Sequence, residues 1–450
     1  MHTLEQLRAG ELAGLQRLDL AAGLTEFPRE IFDLADSLEV LNLSGNALSA
    51  LPDDLGRLHK LRVIFCSDNR FTAVPAVLGQ CSKLSMVGFK ANQICTLPAA
   101  ALTPALRWLI LTDNQLSELP AEIGTCTQLQ KLMLAGNQLR ELPEQLAACI
   151  NLELLRIAAN QLTELPPWLL AMPRLAWLAY AGNPFGEQAE AAATASHPIA
   201  TIEWEQLAIQ QQLGEGASGV IYQARWQRAD APATEVAVKL FKGALTSDGL
   251  PHSEMAACIS AGAHPNLIAV EGEVSQHPAL AEGLVLELIS PAYRNLAGPP
   301  SLASCTRDVY SPGISFTLKT ALRTALDIAA ATKHLHARGI LHGDLYAHNI
   351  LTTDTGKALL GDFGAACFFS PDEATTSRAL QQIETRAFGC LLEELLTYCA
   401  APVAASPVMA ALWSLQQQCV QPDASARPLF GEIHDLLLQA SEIAEMQPAS

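Results

Sequence analysis

The stretch LQKLMLAGNQLRELP, residues 129–143, determines the fold of the first part of the chain. Leu132 and Leu134 alternate with residues of the opposite face, which is typical of a short strand with one buried side. Asn137 suits the following turn because its side chain can hydrogen-bond neighbouring backbone groups. Pro143 closes the unit. Such a unit cannot bury its apolar face alone, so the pattern predicts that copies of it stack on one another.

Copies of this unit recur along residues 1–185. Asparagine returns about every 23 residues, at positions 46, 69, 92, 114, 137, 160 and 183. In a stacked coil, each of these side chains is expected to satisfy backbone groups that the strands leave unpaired. An earlier unit carries Gly23 instead, and residues 4–12 before it are predicted to form a capping helix. The periodicity resembles a leucine-rich-repeat solenoid of about eight turns, which implies an α/β fold with a protein-binding role.

The variable strand positions predict an interaction surface. They are expected to face solvent on the concave side, and many carry large apolar side chains, which commonly mark an interface. The two series are Val40, Val63, Met86, Trp108, Lys131, Leu154 and Trp177, and Asn42, Phe65, Gly88, Ile110, Met133, Arg156 and Ala179. A separate protein ligand and the chain's own second half are both open as occupants of this surface.

Composition excludes several classes of protein. Of the 450 residues, 50% are apolar and 16% charged, which is typical of a globular chain. The formal charge of −18 argues against binding to nucleic acid or anionic lipid. The 11 cysteines include no C-x-x-C pair, so no metal site is expected from them. No secretory signal or membrane span is recognised, and we expect a cytoplasmic protein with reduced thiols.

A different pattern begins near residue 202, after an alanine-rich stretch at 186–201 that we interpret as a linker. The sequence LGEGASGV, residues 213–220, places glycines at 214, 216 and 219. A dinucleotide site needs a helix directly after such glycines. Here a strand-like Val-Ile-Tyr follows instead, which predicts a hairpin whose backbone amides approach phosphate oxygens.

Further motifs follow at the spacing that phosphoryl transfer requires. Lys239 ends the sequence VAVK, a pattern whose lysine contacts nucleotide phosphates, and Glu254 lies on a predicted helix where it can pair with that lysine. The sequence HGDLYAHN contains Asp344, a carboxylate for the acceptor hydroxyl, and Asn349, an oxygen ligand for Mg²⁺. Asp362 in the sequence DFG supplies a second metal ligand.

With five motifs in order, residues 202–438 resemble the protein kinase family. The resemblance implies an α/β leucine-rich-repeat solenoid followed by an α+β two-lobed kinase-like domain at 202–450, with ATP and Mg²⁺ as cofactors. It implies catalytic roles for Asp344, Lys239 and Glu254, and metal binding by Asn349 and Asp362. The nucleotide would lie against Gly214, Gly216, Ser218, Gly219, Val220, Ala237, Lys239, Glu287, Leu288 and Leu351. As a whole, the chain resembles the soluble bacterial leucine-rich-repeat protein kinases.

Three departures from the family pattern affect the expected function. Gly343 replaces the arginine that often precedes the catalytic aspartate and binds a phosphorylated activation loop, so we expect activation without that switch. Tyr346 stands where serine/threonine kinases usually have lysine, which leaves the acceptor class open. The stretch from Asp362 to Glu384 is short and has no A-P-E, and Glu384 replaces the aspartate of the family's D-x-W-x-F-G helix.

The interpretation that these motifs favour is an ATP-dependent protein kinase, directed to serine or threonine. Its repeats would recruit or regulate a partner, and basic proteins are expected substrates because the acidic excess falls mostly in the second part. One alternative is a small-molecule kinase of the antibiotic-phosphotransferase type, suggested by the His-Gly-Asp-Leu sequence and the short activation segment. Another is a non-catalytic scaffold, against which stand all five predicted active-site residues, Lys239, Glu254, Asp344, Asn349 and Asp362.

Overall fold

The computed structural model describes residues 2–216, 218–228, 231–243, 245–246, 248–400 and 407–446. It contains two compact units. The first unit comprises Met1–Leu175 and Asn183–Phe185, and the second comprises Ala176–Gly182 and Gly186–Ser450. Within the described ranges, no helix combines the length and apolar character that crossing a membrane would require.

Short parallel strands form the framework of the first unit, one in each repeat. Each strand pairs in register with the next, so the central apolar residue of one repeat lies beside that of its neighbour, as Leu18 does beside Leu41 and Ile64 beside Val87. The strands in residues 2–175 are β1 Arg17–Asp19, β2 Val40–Asn42, β3 Val63–Phe65, β4 Met86–Gly88, β5 Trp108–Ile110, β6 Lys131–Met133 and β7 Leu154–Arg156. The predicted stacking of repeats is therefore confirmed.

Helices of the first unit are short. The predicted capping helix is present as α1, Leu4–Arg8, and a second helix, α2, spans Pro167–Leu170. Helix α1 begins with a capping box, in which the Gln6 amide donates to the Thr3 hydroxyl and the Thr3 amide donates to the Gln6 side chain. This reciprocal pair satisfies two of the amide groups that a helix start leaves unbonded.

A ladder of asparagine side chains joins consecutive repeats. The Asn137 carboxamide accepts a hydrogen bond from the Leu116 amide at 3.0 Å and donates to the Leu111 carbonyl at 2.9 Å, both in the preceding repeat. It also donates to the Leu134 carbonyl of its own repeat at 2.9 Å. Asn69, three repeats earlier, bonds the equivalent groups, namely the Leu48 amide and the Leu43 carbonyl of the repeat before it and the Cys66 carbonyl of its own. The asparagines thus satisfy the backbone groups that sequence analysis assigned to them.

The prediction that the variable strand positions face solvent is wrong for about half of them. Val63, Met86, Lys131, Leu154, Gly88, Arg156 and Ala179 are all buried. Large side chains on adjacent strands cover each other, because Met86 pairs with both Val63 and Trp108 across the ladder. The ammonium of Lys131 also lies 4.7 Å from the centre of the Trp108 ring. Trp177, in the second unit, is buried as well.

The second unit contains a mixed sheet in its first lobe. After β8 Trp177–Ala179, which lies outside this sheet, the strands are β9 Thr201–Glu203, β10 Leu207–Glu215, β11 Gly219–Trp226, β12 Thr234–Phe241, β13 Val270–Ser275 and β14 Gly283–Glu287. They stand in the order β10-β11-β12-β14-β13-β9, antiparallel except for the last pair. Alternate residues such as Val236, Val238 and Val285 fill the core of this lobe.

Helices dominate the second lobe, with two-residue and three-residue strands between them. The strands are β15 Arg294–Asn295, β16 Ile340–Leu341, β17 Ile350–Thr352, β18 Ala358–Leu360 and β19 Cys367–Phe368. The helices of the second unit are α3 Glu187–Ser196, α4 Pro251–Ala261, α5 Leu318–Ala337, α6 Ala374–Thr397, α7 Pro407–Cys419 and α8 Phe430–Met446. Helix α3 occupies most of the stretch that sequence analysis interprets as a linker. Helix α4 carries Glu254 and lines a cavity beside the sheet of the first lobe.

Candidate active site

The glycine-rich sequence forms a hairpin, as predicted. Strands β10 and β11 pair antiparallel from Leu207–Trp226 to Glu215–Val220, and the Gly216 amide donates to the Gly219 carbonyl at 2.9 Å across the turn. Gly219 lies so close to the neighbouring strand that a β-carbon there would collide with the Leu240 carbonyl. Glycine is therefore required at this position by the packing of β11 on β12.

Lys239 and Glu254 form a buried ion pair between the sheet and helix α4. Their side chains are 14% and 2% exposed, and the ammonium contacts the Glu254 carboxylate directly. Burial alone would lower the pKa of Lys239, but the negative charges of Glu254 and Asp362 outweigh it and raise that pKa. The lysine therefore stays protonated and presents a fixed positive charge to the cavity.

Asp344 and Asn349 lie together on the catalytic loop, the name used below for residues 342–349. The Asn349 side-chain amide donates to the Asp344 carboxylate at 2.7 Å and to the Asp344 carbonyl at 2.9 Å. Because the amide nitrogen of Asn349 points at Asp344, the geometry directs its oxygen elsewhere, as a metal ligand requires. Asp344 itself is partly exposed.

Asp362 follows strand β18 and adopts a left-handed backbone conformation, with φ of 54°. Its carboxylate accepts a hydrogen bond from the Gly364 amide at 3.2 Å, which fixes the turn. The next residue, Phe363, is buried and packs with its ring centre 5.2 Å from that of His342 on the catalytic loop. This strained turn thereby places a carboxylate at the same cavity as Lys239.

A cavity of about 220 Å³ brings many of these groups together. It is lined by Gly216, Ser218, Gly219, Lys239, Glu254 and Asp362, with an apolar back formed by Cys258, Leu267, Ile268, Val270, Leu284 and Leu286. Among the described residues, its lining does not extend to Gly214, Val220, Ala237, Glu287, Leu288, Leu351, Asp344 or Asn349. Glu287 and Leu288 line a neighbouring groove instead, just beyond Leu286. The cavity thus covers the phosphate and helix α4 side of the predicted nucleotide site.

Glu384 of helix α6 anchors the start of the catalytic loop. Its carboxylate accepts hydrogen bonds from the Gly343 amide at 2.7 Å and the His342 amide at 3.3 Å. The His336 imidazole lies 2.7 Å from the same carboxylate. Burial alone would raise the pKa of Glu384, but the hydrogen bond and charge of His336 hold it below its usual value. The resemblance to the D-x-W-x-F-G helix predicts Glu384 at this position, whereas no motif in the sequence points to His336.

Asp308 fixes the other end of the catalytic loop. Its carboxylate accepts a hydrogen bond from the His348 amide at 3.0 Å and contacts the His348 Nδ1 at 2.8 Å. Burial opposes protonation of His348, but the hydrogen bond to Asp308 raises its pKa. Asp308 lies 40 residues before its partner in an irregular segment, so no spacing or periodicity in the sequence pointed to it.

Asn349 and Asp362 are the residues predicted to bind a divalent cation through their side-chain oxygen atoms. Mg²⁺ prefers such hard ligands, and in phosphoryl-transfer sites it takes the remaining ones from phosphate and water. In the described part of the chain, no three His, Cys, Asp or Glu side chains cluster as metal ligands. The donor set therefore fits a cation that binds together with nucleotide phosphates.

Comparison with known families agrees with this geometry. Residues 207–387 match the model described as protein tyrosine and serine/threonine kinase, and residues 37–58 match the model of the leucine-rich repeat. The chain therefore contains a protein kinase domain and a leucine-rich-repeat segment. Strands and helices of the second unit form the two-lobed architecture expected of such a domain.

Individual relatives include kinases of both acceptor classes. The chain is 25% identical to "Activated Cdc42 kinase-like" of Drosophila melanogaster over 52% of its length, and 26% identical to "Tyrosine-protein kinase Abl" of the same organism over 54%. It is 25% identical to "Probable serine/threonine-protein kinase SIS8" of Arabidopsis thaliana over 52%. The aligned parts cover 20%, 17% and 25% of these relatives, so the chain corresponds to a quarter or less of each.

Proposed function

We propose that this protein is an active kinase that transfers the γ-phosphoryl group of Mg·ATP to a serine or threonine hydroxyl of another protein. The observation that carries the proposal is the joint placement of Lys239, Glu254 and Asp362 at one cavity beside the bonded pair Asp344 and Asn349. Phosphoryl transfer needs a positive charge at the nucleotide phosphates, oxygen ligands for the metal ion and a carboxylate at the substrate hydroxyl, and these residues supply all three.

Each residue has a definite role in this mechanism. Lys239, held by Glu254, binds the phosphates next to the γ-phosphoryl group through its fixed positive charge. Asp344 orients the acceptor hydroxyl and takes up its proton as transfer proceeds. Asn349 and Asp362 hold the cation, which when bound neutralises charge that develops on the phosphate oxygens. The glycine-rich hairpin covers the phosphates with backbone amides.

The preferred acceptors are serine and threonine residues in basic protein segments. The acidic excess of the second unit supports basic substrates, since it would attract them at low ionic strength. The first unit supports recruitment of a protein partner, because Phe65, Ile110 and Met133 remain partly exposed on its strands. The pairing of repeats with this domain also supports the resemblance to bacterial leucine-rich-repeat kinases, and a cytoplasmic location is part of the proposal.

One observation favours a second candidate, a kinase for small molecules. Helix α6 begins at Ala374, only a short distance after Asp362, so little chain is available for a surface that docks a peptide. Small hydroxyl compounds need no such surface. A panel of basic peptides and aminoglycosides with labelled ATP separates the two candidates, because only one class should accept label at an appreciable rate.

The full-length chain with Asp344→Asn tests the proposal. We expect phosphoryl transfer to fall about 1,000-fold or more, because asparagine cannot take up the proton of the substrate hydroxyl. ATP binding should stay unchanged. Transfer is measured with labelled ATP and a basic protein substrate, and binding by fluorescence titration. Asp36→Asn, whose side chain is fully exposed in the first unit, is the matched control and should match the wild type. Unchanged transfer in the Asp344 variant would remove the mechanism.

A further inference from the structure

Residues 176–182, called the clamp segment below, contact the catalytic loop within the second unit. Trp177 is 1% exposed, and its ring stacks on Tyr346 with ring centres 4.2 Å apart and planes 6° from parallel. The indole N–H of Trp177 donates to the Leu345 carbonyl at 3.1 Å. One side chain therefore contacts both residues that directly follow Asp344.

The clamp segment also contacts the chain that follows Asp362. The Tyr180 hydroxyl donates to the Phe368 carbonyl at 3.0 Å, and the Tyr180 amide lies 3.0 Å from the Cys367 sulfur. Cys367 and Phe368 form strand β19, which pairs with β16 immediately before the catalytic loop. Trp177 and Tyr180 thus bind two chain segments that flank the reacting groups.

Gly343 is explained by the same contact. Its φ is 73°, and a β-carbon there would lie 2.7 Å from the Leu178 carbonyl of the clamp segment and would also collide with the Ala365 carbonyl. An arginine cannot be accommodated at a site that excludes even a β-carbon. The backbone of the clamp segment therefore occupies the space beside the catalytic loop where many kinases have the arginine that responds to loop phosphorylation.

We propose that Trp177 and Tyr180 are positioning residues for the kinase reaction, holding the catalytic loop and β19 in place of a phosphorylated activation loop. The inference rests on the proposed kinase function. The geometry indicates that the clamp segment promotes the reaction and does not inhibit it. In the same structure in which the clamp segment is bound, Asn349 bonds Asp344 and Lys239 pairs with Glu254. The segment is therefore compatible with an assembled site and stabilises it.

Conservative variants of the full-length chain test this role without removing a ring from the core. Trp177→Phe keeps an aromatic ring against Tyr346 but loses the bond to Leu345, and Tyr180→Phe loses the bond to Phe368. We expect kcat to fall about 10-fold in each and about 100-fold in Trp177→Ala, since small displacements of reacting groups are costly. The KM for ATP should change less than about twofold, because the cavity beside Lys239 is untouched.

Trp168→Phe is the matched control, because Trp168 lies in helix α2 of the first unit and belongs to neither series of variable strand positions. It should leave kcat unchanged. A merely structural role of Trp177 would lower thermal stability and weaken ATP binding together, whereas a positioning role lowers kcat alone. An increase in kcat on loss of Trp177 would show that the segment covers the site as an inhibitor and would overturn the proposal.

Amide hydrogen exchange gives a readout that does not depend on activity. In Trp177→Phe, exchange should accelerate in residues 341–349 and 365–369 and stay unchanged in strands β10 to β12. If the wild-type chain shows no Asp344-dependent transfer, the proposed function fails, yet exchange still tests the clamp. Unchanged exchange together with unchanged kcat would overturn the clamp alone.

Discussion

Buried polar side chains are used differently in the two units. In the first unit, one residue type repeats the same bonds, as Asn69 and Asn137 each join a carbonyl and an amide of the preceding repeat. In the second unit, each buried group has its own distant partner, such as Glu384 with the amides of His342 and Gly343. Because its bonds repeat, the hydrogen bonding of the first unit can be predicted from its sequence. The second unit depends on contacts between distant residues, which no periodicity in the sequence indicates.

Asn137→Ala should give the largest effect on stability. It leaves the buried Leu116 amide without its bond and removes one of the two asparagine bonds of the Leu111 and Leu134 carbonyls, which still accept from Asn114 and Asn160. Together these losses cost about 4 kcal/mol of unfolding free energy. Urea unfolding followed by circular dichroism measures the change. Asn46→Ala is the control, because Asn46 is more exposed and water can replace its bonds, so the loss there should be smaller. Equal losses at both positions would contradict the account of the ladder.

Glu394 makes a buried polar cluster in the second unit sensitive to pH. It accepts hydrogen bonds from Arg307 at 2.8 Å and Tyr310 at 3.1 Å, and burial raises its pKa to about 7. Because the folded pKa exceeds the unfolded one, the folded state holds its proton more tightly, and stability falls as pH rises from about 4.5 to about 7. Relative to Glu394→Gln, the unfolding free energy of the wild type should fall by on the order of 3 kcal/mol over this pH range.

Unfolding free energies of both chains at several pH values provide the measurement for Glu394. The glutamine variant keeps the shape and the acceptor oxygen but cannot ionise, so it isolates the titration. A parallel pH dependence in the two chains would show that Glu394 is ionised throughout and that Arg307 fully offsets its burial.

Glu384→Gln tests whether the contacts between helix α6 and the catalytic loop affect the rate of the reaction. The variant keeps the side-chain volume but weakens the bonds to the Gly343 and His342 amides, so we expect kcat to fall about 100-fold. The KM for ATP should stay within about twofold of the wild type. Steady-state kinetics with labelled ATP measures both. A fall in ATP affinity with kcat preserved would place the effect at the cavity rather than at the catalytic loop.

The smallest effect is expected from residues that could serve as activation-loop phosphorylation sites. Thr375, Thr376 and Ser377 lie in the first turn of helix α6, and Ser377 is buried and bonded to Gln381. A triple alanine variant should keep activity within about twofold, because the loop arginine is absent at Gly343. Complete loss of activity in the kinase assay would contradict activation without loop phosphorylation.

Much of the fold was predictable because it is encoded locally. The repeats, the capping helix, the glycine hairpin and the buried strand β18 follow from period, turn residues and apolar runs over a few positions. The solvent exposure of the concave positions was predicted wrongly for residues such as Met86, because side chains on neighbouring strands cover each other and a single repeat does not show its neighbours.

The candidate site was predictable where a motif fixes both residue type and spacing, as for Lys239, Glu254 and Asp344. Asp308 and His336 could not be predicted from the sequence, because their partners lie 40 and 48 residues away and no local motif includes either residue. The repeat pattern predicts Trp177 only as a surface position, since its stacking on Tyr346 joins residues far apart in the chain. Tertiary contacts of this kind depend on the whole fold.

The asparagine ladder also limits how this chain can change in length during evolution. Each carboxamide reaches one backbone amide and one carbonyl of the preceding repeat, so duplication or deletion of a complete repeat preserves every bond. The step from Asn92 to Asn114 is one residue shorter than the others, yet Asn114 still bonds the Ile94 amide and the Phe89 carbonyl. The first unit can therefore change length by whole repeats, and by single residues where the change falls outside the turn and strand that carry these bonds.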